Sequence, residues 1–507
     1  MKIKAVTVNR FRGYETAVRI EINSLCVLVG QNDRGKSTLL EALDIFFNEG
    51  KGCVKLDKDD INKSCLKNGE DCIEIEVEFS ELPEEILLDV SNKTSLQDEF
   101  LVTPEGTLHV IKRYPAAGKE KVFIRALHPT AVSCKDLLQK KIQDLRALLE
   151  EQKLECPDKT KSASLRRSIW DGQVDLQLRE CEIEVAKIDA KNVWEQLKLH
   201  MPFYTLFQSD RKNTDTDDEV QDPMRIAVRE ILGDPEIQKT LASVADTVKM
   251  RLDLVAGRTL EKLKELNSSI AESLSPKIPD TSSLKWIDVF KNVSISGDND
   301  IPINKRGSGV KRLVLISFFR EEAERRQSEA SLPNIVYAIE EPETSQHPDH
   351  QRALTDALIS LSKAKSTQVL LTTHSPEIVK KLRFEDIILV SDRTPEKVSA
   401  ILKHELPYPS LNEVNFAAFG EASFEYHNEL YGYIEAEGKL AQYRHGRELL
   451  PYKKIRRDGS IETKEIVLTE YIRNQIHHPE NINNRTFSFQ ELKESINSMR
   501  EFIKITG

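Results

Sequence analysis

The chain is expected to be an α/β protein, interrupted by a helical segment and closed by a mostly helical C-terminal part. Three observations predict this. The stretch Gly30-Gln31-Asn32-Asp33-Arg34-Gly35-Lys36-Ser37 fits G-x-x-x-x-G-K-[ST]. It lies between an apolar run, Ser24 to Val29, and a helix-like run, Ser37 to Leu43. Two later apolar runs, Asn334 to Ile339 and Thr367 to Thr373, end in polar residues able to do chemistry. Strand–loop–helix around such a loop is the physical signature of a phosphate cradle. The glycines let backbone N–H groups face phosphate oxygens, and the helix start favours an anion. Gly30 through Thr38 are therefore the expected nucleotide-binding residues. Lys36 would meet the β- and γ-phosphates, and Ser37 would offer its hydroxyl to Mg²⁺.

Composition narrows the remainder. The 507 residues leave room for two to four domains. A net charge of −10 excludes a uniformly basic coat, though not a local basic groove. Mean hydropathy is −0.44 and 31% of residues are charged. No apolar run approaches the roughly 18 residues of a membrane span. Met1 to Val6 reads as a strand rather than a leader. The seven cysteines include no C-x-x-C pair, so a cytoplasmic protein with reduced thiols is expected.

In order, residues 3–8 and 17–28 read as strands flanking Asn9-Arg10-Phe11-Arg12-Gly13-Tyr14. Cys72 to Phe79 alternates with period two, and Leu108 to Tyr114 is a further strand. Together they predict an antiparallel layer beside the nucleotide-binding sheet. Leu138, Ile142, Leu145 and Leu149 then fall at helical spacing, as do Val174, Leu178, Cys181, Val185 and Ile188. Between them lies a polar break, Cys156 to Gly172. Two helices joined by a turn would form a short antiparallel arm or pack as ordinary domain helices. Asp210 to Asp222 reads as an acidic loop, with a metal site as the alternative. Residues 224–275 read as two or three helices, and strands return at 286–289 and 293–296.

The second half of the site follows. Glu340 ends a strand, where a carboxylate can reach Mg²⁺, and Glu341 would orient or deprotonate the attacking water. His374 follows the next strand and is assigned to the γ-phosphate. Ser308 and Gly309, ahead of an apolar helix, offer a second phosphate-facing surface, or merely a flexible turn.

This order of motifs resembles the ABC-type ATPases related to the RecF, SMC and overcoming-lysogenization-defect proteins. It runs from the P-loop through Gly307-Ser308-Gly309, Glu340-Glu341-Pro342-Glu343 and Ser345-Gln346-His347-Pro348 to Thr373-His374-Ser375-Pro376. The resemblance implies an ATP-hydrolysing head with Mg²⁺, and a head-to-head dimer sandwiching two ATP molecules. Ser308 and Gly309 would then act in trans, with Ser345 and His347 at the interface. Arg12 matches the family's Asn-Phe-Arg-Gly element, although the order here is Asn-Arg-Phe-Arg-Gly. Gln208 is a candidate for the family's glutamine loop. The implied organisation is a head lobe at 1–129, a helical insertion at 130–280, a second head lobe at 281–421 and a helical C-terminal domain at 422–507.

Many overcoming-lysogenization-defect proteins carry a Toprim nuclease, but no Asp-x-Asp follows His374, so none is expected in this chain. Instead, Tyr452 to Ser460 reads as a basic hairpin with an Asp-Gly turn. Arg473-Asn474 followed by His478 is similar to the R-x(4–6)-H motif of HEPN ribonucleases, and an ordinary helix end before Pro479 is the competing reading. Arg444, Arg447, Lys453, Lys454, Arg456 and Arg457 make the most basic stretch, suited to RNA or simply to solvent. By resemblance to the ATPases of Septu, PARIS and retron-associated systems, the chain is expected to regulate a nuclease effector in antiviral defence, either its own C-terminus or a partner protein. DNA or RNA would be a further partner, and no membrane is expected. The alternative is a RecF-like repair ATPase without nuclease activity.

Overall fold

The structure, a computed structural model, describes residues 1–49, 52–89, 92–185, 190–208, 228, 230–266, 317–326, 334–344, 348–390, 398–400, 410–456 and 459–506. The expectations for Asp210 to Asp222, the strands at 286–296, Ser308, Gly309, Ser345 and His347 lie outside these residues.

In chain order the head strands are β1 (Lys2–Asn9), β2 (Val18–Glu21), β3 (Leu25–Val29), β4 (Cys72–Ser80), β5 (Ile86–Asp89), β6 (Asn92–Thr94), β7 (Leu108–Pro115), β8 (Lys121–Pro129) and β9 (Leu178–Glu184). They continue with β10 (Phe203–Phe207), β11 (Ile335–Glu340), β12 (Thr367–Thr373), β13 (Ile387–Val390) and β14 (Val398–Ala400). One six-stranded sheet runs β2-β1-β4-β7-β8-β9, antiparallel throughout. The other runs β10-β11-β12-β3-β13-β14 and is parallel except for β14.

Side-chain pattern explains the division. In β4 the apolar residues Ile73, Ile75, Val77 and Phe79 face the core. The intervening glutamates meet cross-strand cations: Glu74 with Arg113, Glu76 with Arg125, and Glu78 with Lys4 and Arg19. The strands β3, β11 and β12 are apolar on both faces, as expected of a parallel sheet covered on both sides. Cys26, Leu28, Val336, Ala338 and Leu370 pack with helix α1 (Lys36–Asn48) and the antiparallel sheet. Val27, Val29, Ile335, Tyr337 and Leu371 pack with the helices at 317–326 and Pro348–Ser362 on the far side.

Gln368 ties the two sheets together. Its Oε1 accepts from Ile3 N at 2.8 Å and its Nε2 donates to Ile3 O at 2.7 Å. The register of β1 against β4 shifts between Ile3 and Ala5, and Gln368 satisfies the backbone groups at that irregularity.

Several sequence expectations are corrected. The strand expected over 17–28 is two strands in different sheets, β2 and β3. The helix expected over 174–188 contains β9, an edge strand paired with β8. Its Cys181, Ile183 and Val185 alternate with Glu180, Glu182 and Glu184, and that period of two outweighs the helical spacing. The helix Ile142–Glu151 instead packs on Ser162–Asp171, which lies inside the expected polar break. The segment assigned to a helical insertion therefore also supplies β9 and β10 to the two sheets. Its longest described element is the 32-residue helix Pro235–Leu266.

The C-terminal part packs the helices Phe424–Ala436, Leu468–His477 and Phe489–Thr506 around Tyr426, Leu430, Ile472, Ile496 and Met499. The expected hairpin is present as β15 (Leu449–Ile455) and β16 (Ile461–Val467). Among the described residues no helix is long and apolar enough to cross a membrane.

Replacing Gln368 by Leu would leave Ile3 N–H and C=O buried without these partners. The expected loss is about 2–6 kcal/mol of stability, at roughly 1–3 kcal/mol per orphaned group. Denaturant unfolding monitored by circular dichroism checks it.

Candidate nucleotide site

The loop begins where β3 ends. Gly30 packs so tightly that a Cβ there would lie 2.2 Å from Val390 O on β13. Gly35 has φ +95°, and a Cβ there would meet the Tyr14 hydroxyl at 2.8 Å. That hydroxyl donates to Gly35 O at 3.1 Å, supporting the loop from below. Both glycines are thus demanded by close approach, and Gly35 also by its left-handed backbone. Gln31, Asn32 and Asp33 are exposed at the loop tip, while Ser37 and Thr38 sit half-buried in the first turn of α1.

Lys36 is 3% exposed. Its Nζ donates to Gly30 O and Gln31 O, both at 2.9 Å, and lies 3.9 Å from Glu341 Oε1. Burial pushes its ammonium below the usual value, and Glu341, Glu343, Asp33 and Glu340 oppose that shift. The buried cation suits a phosphate group, and the carboxylates around it suit a cation that accompanies that phosphate.

The acids arrive on the neighbouring strands. Register places Glu340 of β11 beside Thr372 of β12, and β12 beside β3. Glu341 N donates to Thr372 O and to Thr372 Oγ1, each at 3.1 Å. Glu341 has φ +38° immediately before Pro342, a position whose residue ordinarily prefers extended backbone. Such strain costs on the order of 1–3 kcal/mol and persists where neighbours enforce it. His374 Nδ1 lies 3.5 Å from Glu341 Oε2 and 3.3 Å from Glu343 Oε1. The parallel sheet thus gathers Lys36, Glu340, Glu341 and His374 at the same ends of adjacent strands.

Glu343 was not assigned a role from sequence. Its carboxylate is buried and its pKa is raised by that burial. Glu343 Oε1 accepts from Thr373 Oγ1 and from His374 N, both at 2.8 Å. It therefore fixes the turn that presents His374. The only sequence signal was a third glutamate two residues after the acid pair. Glu41 of α1 was also missed: it pairs with Arg12 and accepts from Gln208 Nε2 at 3.0 Å. Arg12 also holds Asp60 at 2.8 Å. Gln208, at the end of β10, is thereby joined through Glu41 to the helix that leaves the loop.

Hard oxygen donors fit Mg²⁺ here. Ser37 offers a hydroxyl, Glu340 a carboxylate, and α1 packs on β11. Mg²⁺ at nucleotide sites takes one or two protein ligands, with phosphates and water completing the shell.

The AAA_15 sequence family, described as AAA ATPase domain, matches residues 1–379. The chain belongs to that family. It is an ATPase and binds ATP. It is 23% identical over 407 residues to endonuclease GajA of Bacillus cereus, covering 78% of this chain and 59% of that protein. It is 25% identical over 180 residues to the OLD nuclease of Thermus scotoductus, covering 35% and 30% respectively. The chain thus spans less than two thirds of the length of either relative. These matches, with the motif order, support an ABC-type ATPase similar to those of the overcoming-lysogenization-defect proteins. Among solved structures it is similar to an SMC head bound to the C-winged helix domain of ScpA (TM-score 0.37, 13% identity, 77% of this chain and 94% of that one). It is also similar to the SMC head domain from Thermotoga maritima (TM-score 0.31, 10% identity, the same coverages).

The C-terminal candidates are placed separately. Arg473 lies on the helix Leu468–His477, with its guanidinium 4.2 Å from the Tyr431 ring centroid and 3.4 Å from Glu435. His478 caps that helix, exposed and 3.3 Å from Glu480. Asn474 is half-buried, and its carbonyl accepts from His478 N at 2.9 Å.

Glu343→Ala is expected to lower kcat for ATP at least tenfold while KM changes little, because it loosens the His374 turn rather than the P-loop. Glu343→Gln keeps the acceptor and should retain most of the activity. Steady-state phosphate release on both variants checks this.

Proposed function

We propose that this ATPase is a regulator in bacterial antiviral defence, coupling ATP hydrolysis to control of a nuclease, in the cytoplasm. The observation that carries the reading is the convergence of Lys36, Glu340, Glu341 and His374 on one sheet edge, in a chain similar to two proteins named as nucleases.

In this reading the loop amides of residues 30–38 bind the phosphates. Lys36 leaves the Gly30 and Gln31 carbonyls to neutralise the β- and γ-phosphates. Ser37 and Glu340 hold Mg²⁺, which when bound would neutralise developing charge on the transferring phosphoryl group. Glu341 accepts a proton from, or orients, the attacking water. His374, held by Glu343, contacts the γ-phosphate and reports its loss. A second copy supplies Ser308 and Gly309 across a head-to-head dimer.

A ribonuclease within the chain is the more specific form of the proposal. The exposure of His478 at a helix end favours it. There the imidazole would take the proton of an RNA 2′-OH as that oxygen attacks phosphorus and the 5′-oxygen leaves. Arg473, whose planar fork suits a phosphate, would have to leave Tyr431 and Glu435 to contribute. The rival reading is a repair ATPase of the RecF kind, which predicts turnover stimulated by DNA and no toxicity.

Lys36→Ala is expected to abolish ATP turnover, and normal activity in that variant would overturn the account of the site. Glu341→Gln is expected to accumulate an ATP-bound dimer; light scattering that finds only monomer with ATP would count against the trans arrangement. Growth and total-RNA integrity in cells making wild type or His478→Ala, with and without phage, test the effector. RNA cut by the wild type and spared by His478→Ala places the ribonuclease in this chain. Identical behaviour of the two, with loss of protection in Glu341→Gln, assigns it to a partner.

A further inference from the structure

Glu41 stands where three separate parts of the chain meet. It follows Ser37 by four residues, so the two share one face of α1. Strand β10 lies along that helix. The Tyr204 hydroxyl donates to Leu40 O at 2.6 Å, and the Tyr204 ring stacks on Phe47 with centroids 5.5 Å apart. Strand β10 also runs parallel to β11, with Phe207 opposite Ile339. The residues that follow this pair are Gln208 and Glu340. The sheet therefore sets Gln208 beside Glu340, while α1 sets Glu41 one turn beyond Ser37. Glu340 and Ser37 are the two residues assigned to Mg²⁺.

Both carboxylate oxygens of Glu41 are engaged. Its Oε2 pairs with the Arg12 guanidinium, and its Oε1 accepts from Gln208 Nε2 at 3.0 Å. Arg12 is held from the other side as well, its Nε lying 2.8 Å from Asp60 Oδ1. With both oxygens taken, Glu41 is a support rather than a metal ligand. Its chemistry decides how Gln208 stands. The two ends of an amide have nearly the same shape, one a donor and the other an acceptor, whereas an ionised carboxylate only accepts. Glu41 therefore takes the Nε2 end of Gln208 and turns the oxygen end away from itself. An amide oxygen is a hard donor of the kind Mg²⁺ and its waters accept, and an amide NH₂ is not. Packing of β10 on α1 is already supplied by Tyr204 and Phe47. It does not call for three ionised side chains drawn together partly out of water, which is costly unless each is well paired.

We propose that Glu41 is a positioning residue for ATP hydrolysis. It fixes the side-chain amide of Gln208 so that the oxygen, and not the nitrogen, is presented to the Mg²⁺ that Ser37 and Glu340 would hold. Gln208 then supplies an oxygen to the ion or its water shell, and Arg12 keeps Glu41 in place. The inference rests on the Mg²⁺ assignment of the proposed function and not on the nuclease reading. Loss of a group that orients a metal's ligands typically lowers metal affinity roughly 10–100-fold.

The test uses the full-length chain and a fluorescent, non-hydrolysable ATP analogue, whose binding is followed in EDTA and then in stepped Mg²⁺. Glu41→Gln keeps the shape but lets the paired amide stand either way round. It should raise the Mg²⁺ concentration for half of the fluorescence change roughly tenfold or more, with affinity in EDTA unchanged. Gln208→Leu, which has no oxygen to offer, should do the same. Glu41→Gln combined with Gln208→Glu rebuilds an amide–carboxylate pair with an oxygen toward the ion, and should recover most of the Mg²⁺ response. An unchanged Mg²⁺ response in both single variants overturns the proposal. So does equal weakening in EDTA, which a merely structural role would give, or an exchanged pair that responds no better than Glu41→Gln. Ser37→Ala separates the two levels. Loss of the Mg²⁺ response there, with a normal response in Glu41→Gln, leaves the metal site standing and removes the inference. A normal response in Ser37→Ala overturns the metal assignment and the inference with it.

Discussion

The structure depends on keeping one ammonium group out of water. Lys36 is almost wholly buried, which disfavours its charged form, yet Glu341 stands within 4 Å and three further acids oppose the shift. A buried charge of this kind is tolerable only where partners are positioned by rigid elements. Here they come from the loop itself and from the strand ends of β11. Burial also strengthens the lysine's attraction to an incoming phosphate, because little solvent screens it.

That requirement explains the layering. To bring three strand ends together, β3, β11 and β12 must be adjacent and parallel, and therefore covered on both faces. Helix α1 and the antiparallel sheet cover one side; the helices at 317–326 and 348–362 cover the other. Gln368 ties the layers by satisfying Ile3. The link from Arg12 through Glu41 to Gln208 joins the first hairpin, α1 and the end of β10, so three elements distant in sequence meet beside the loop.

The head was largely legible because its signals are local. The P-loop spacing, the alternation of Cys72 to Phe79 and the apolar runs before Glu340 and His374 each describe one element, and each formed as read. Errors arose where the sequence fits two periods. Residues 174–188 match a helical spacing and a strand alternation at once, and pairing with β8 selects the strand. The run 17–28 looked continuous because nothing local marks a chain leaving one sheet for another. Glu343 escaped notice because its partners, the Thr373 hydroxyl and the His374 amide, are on a different strand.

By itself, the sequence determined the phosphate loop, the acids behind it, the buried strands and the family to which the chain belongs. The loop, the acids and the strands are each encoded in residues next to one another, and the family shows as a resemblance in the order of those motifs along the chain. Only the tertiary structure decided that Glu343 holds His374 and that Gln208 reaches α1 through Glu41. Each of these is a contact between residues far apart in the chain. Which distant groups meet is set by strand order and by the need to satisfy buried polar atoms, and neither can be read from a local pattern.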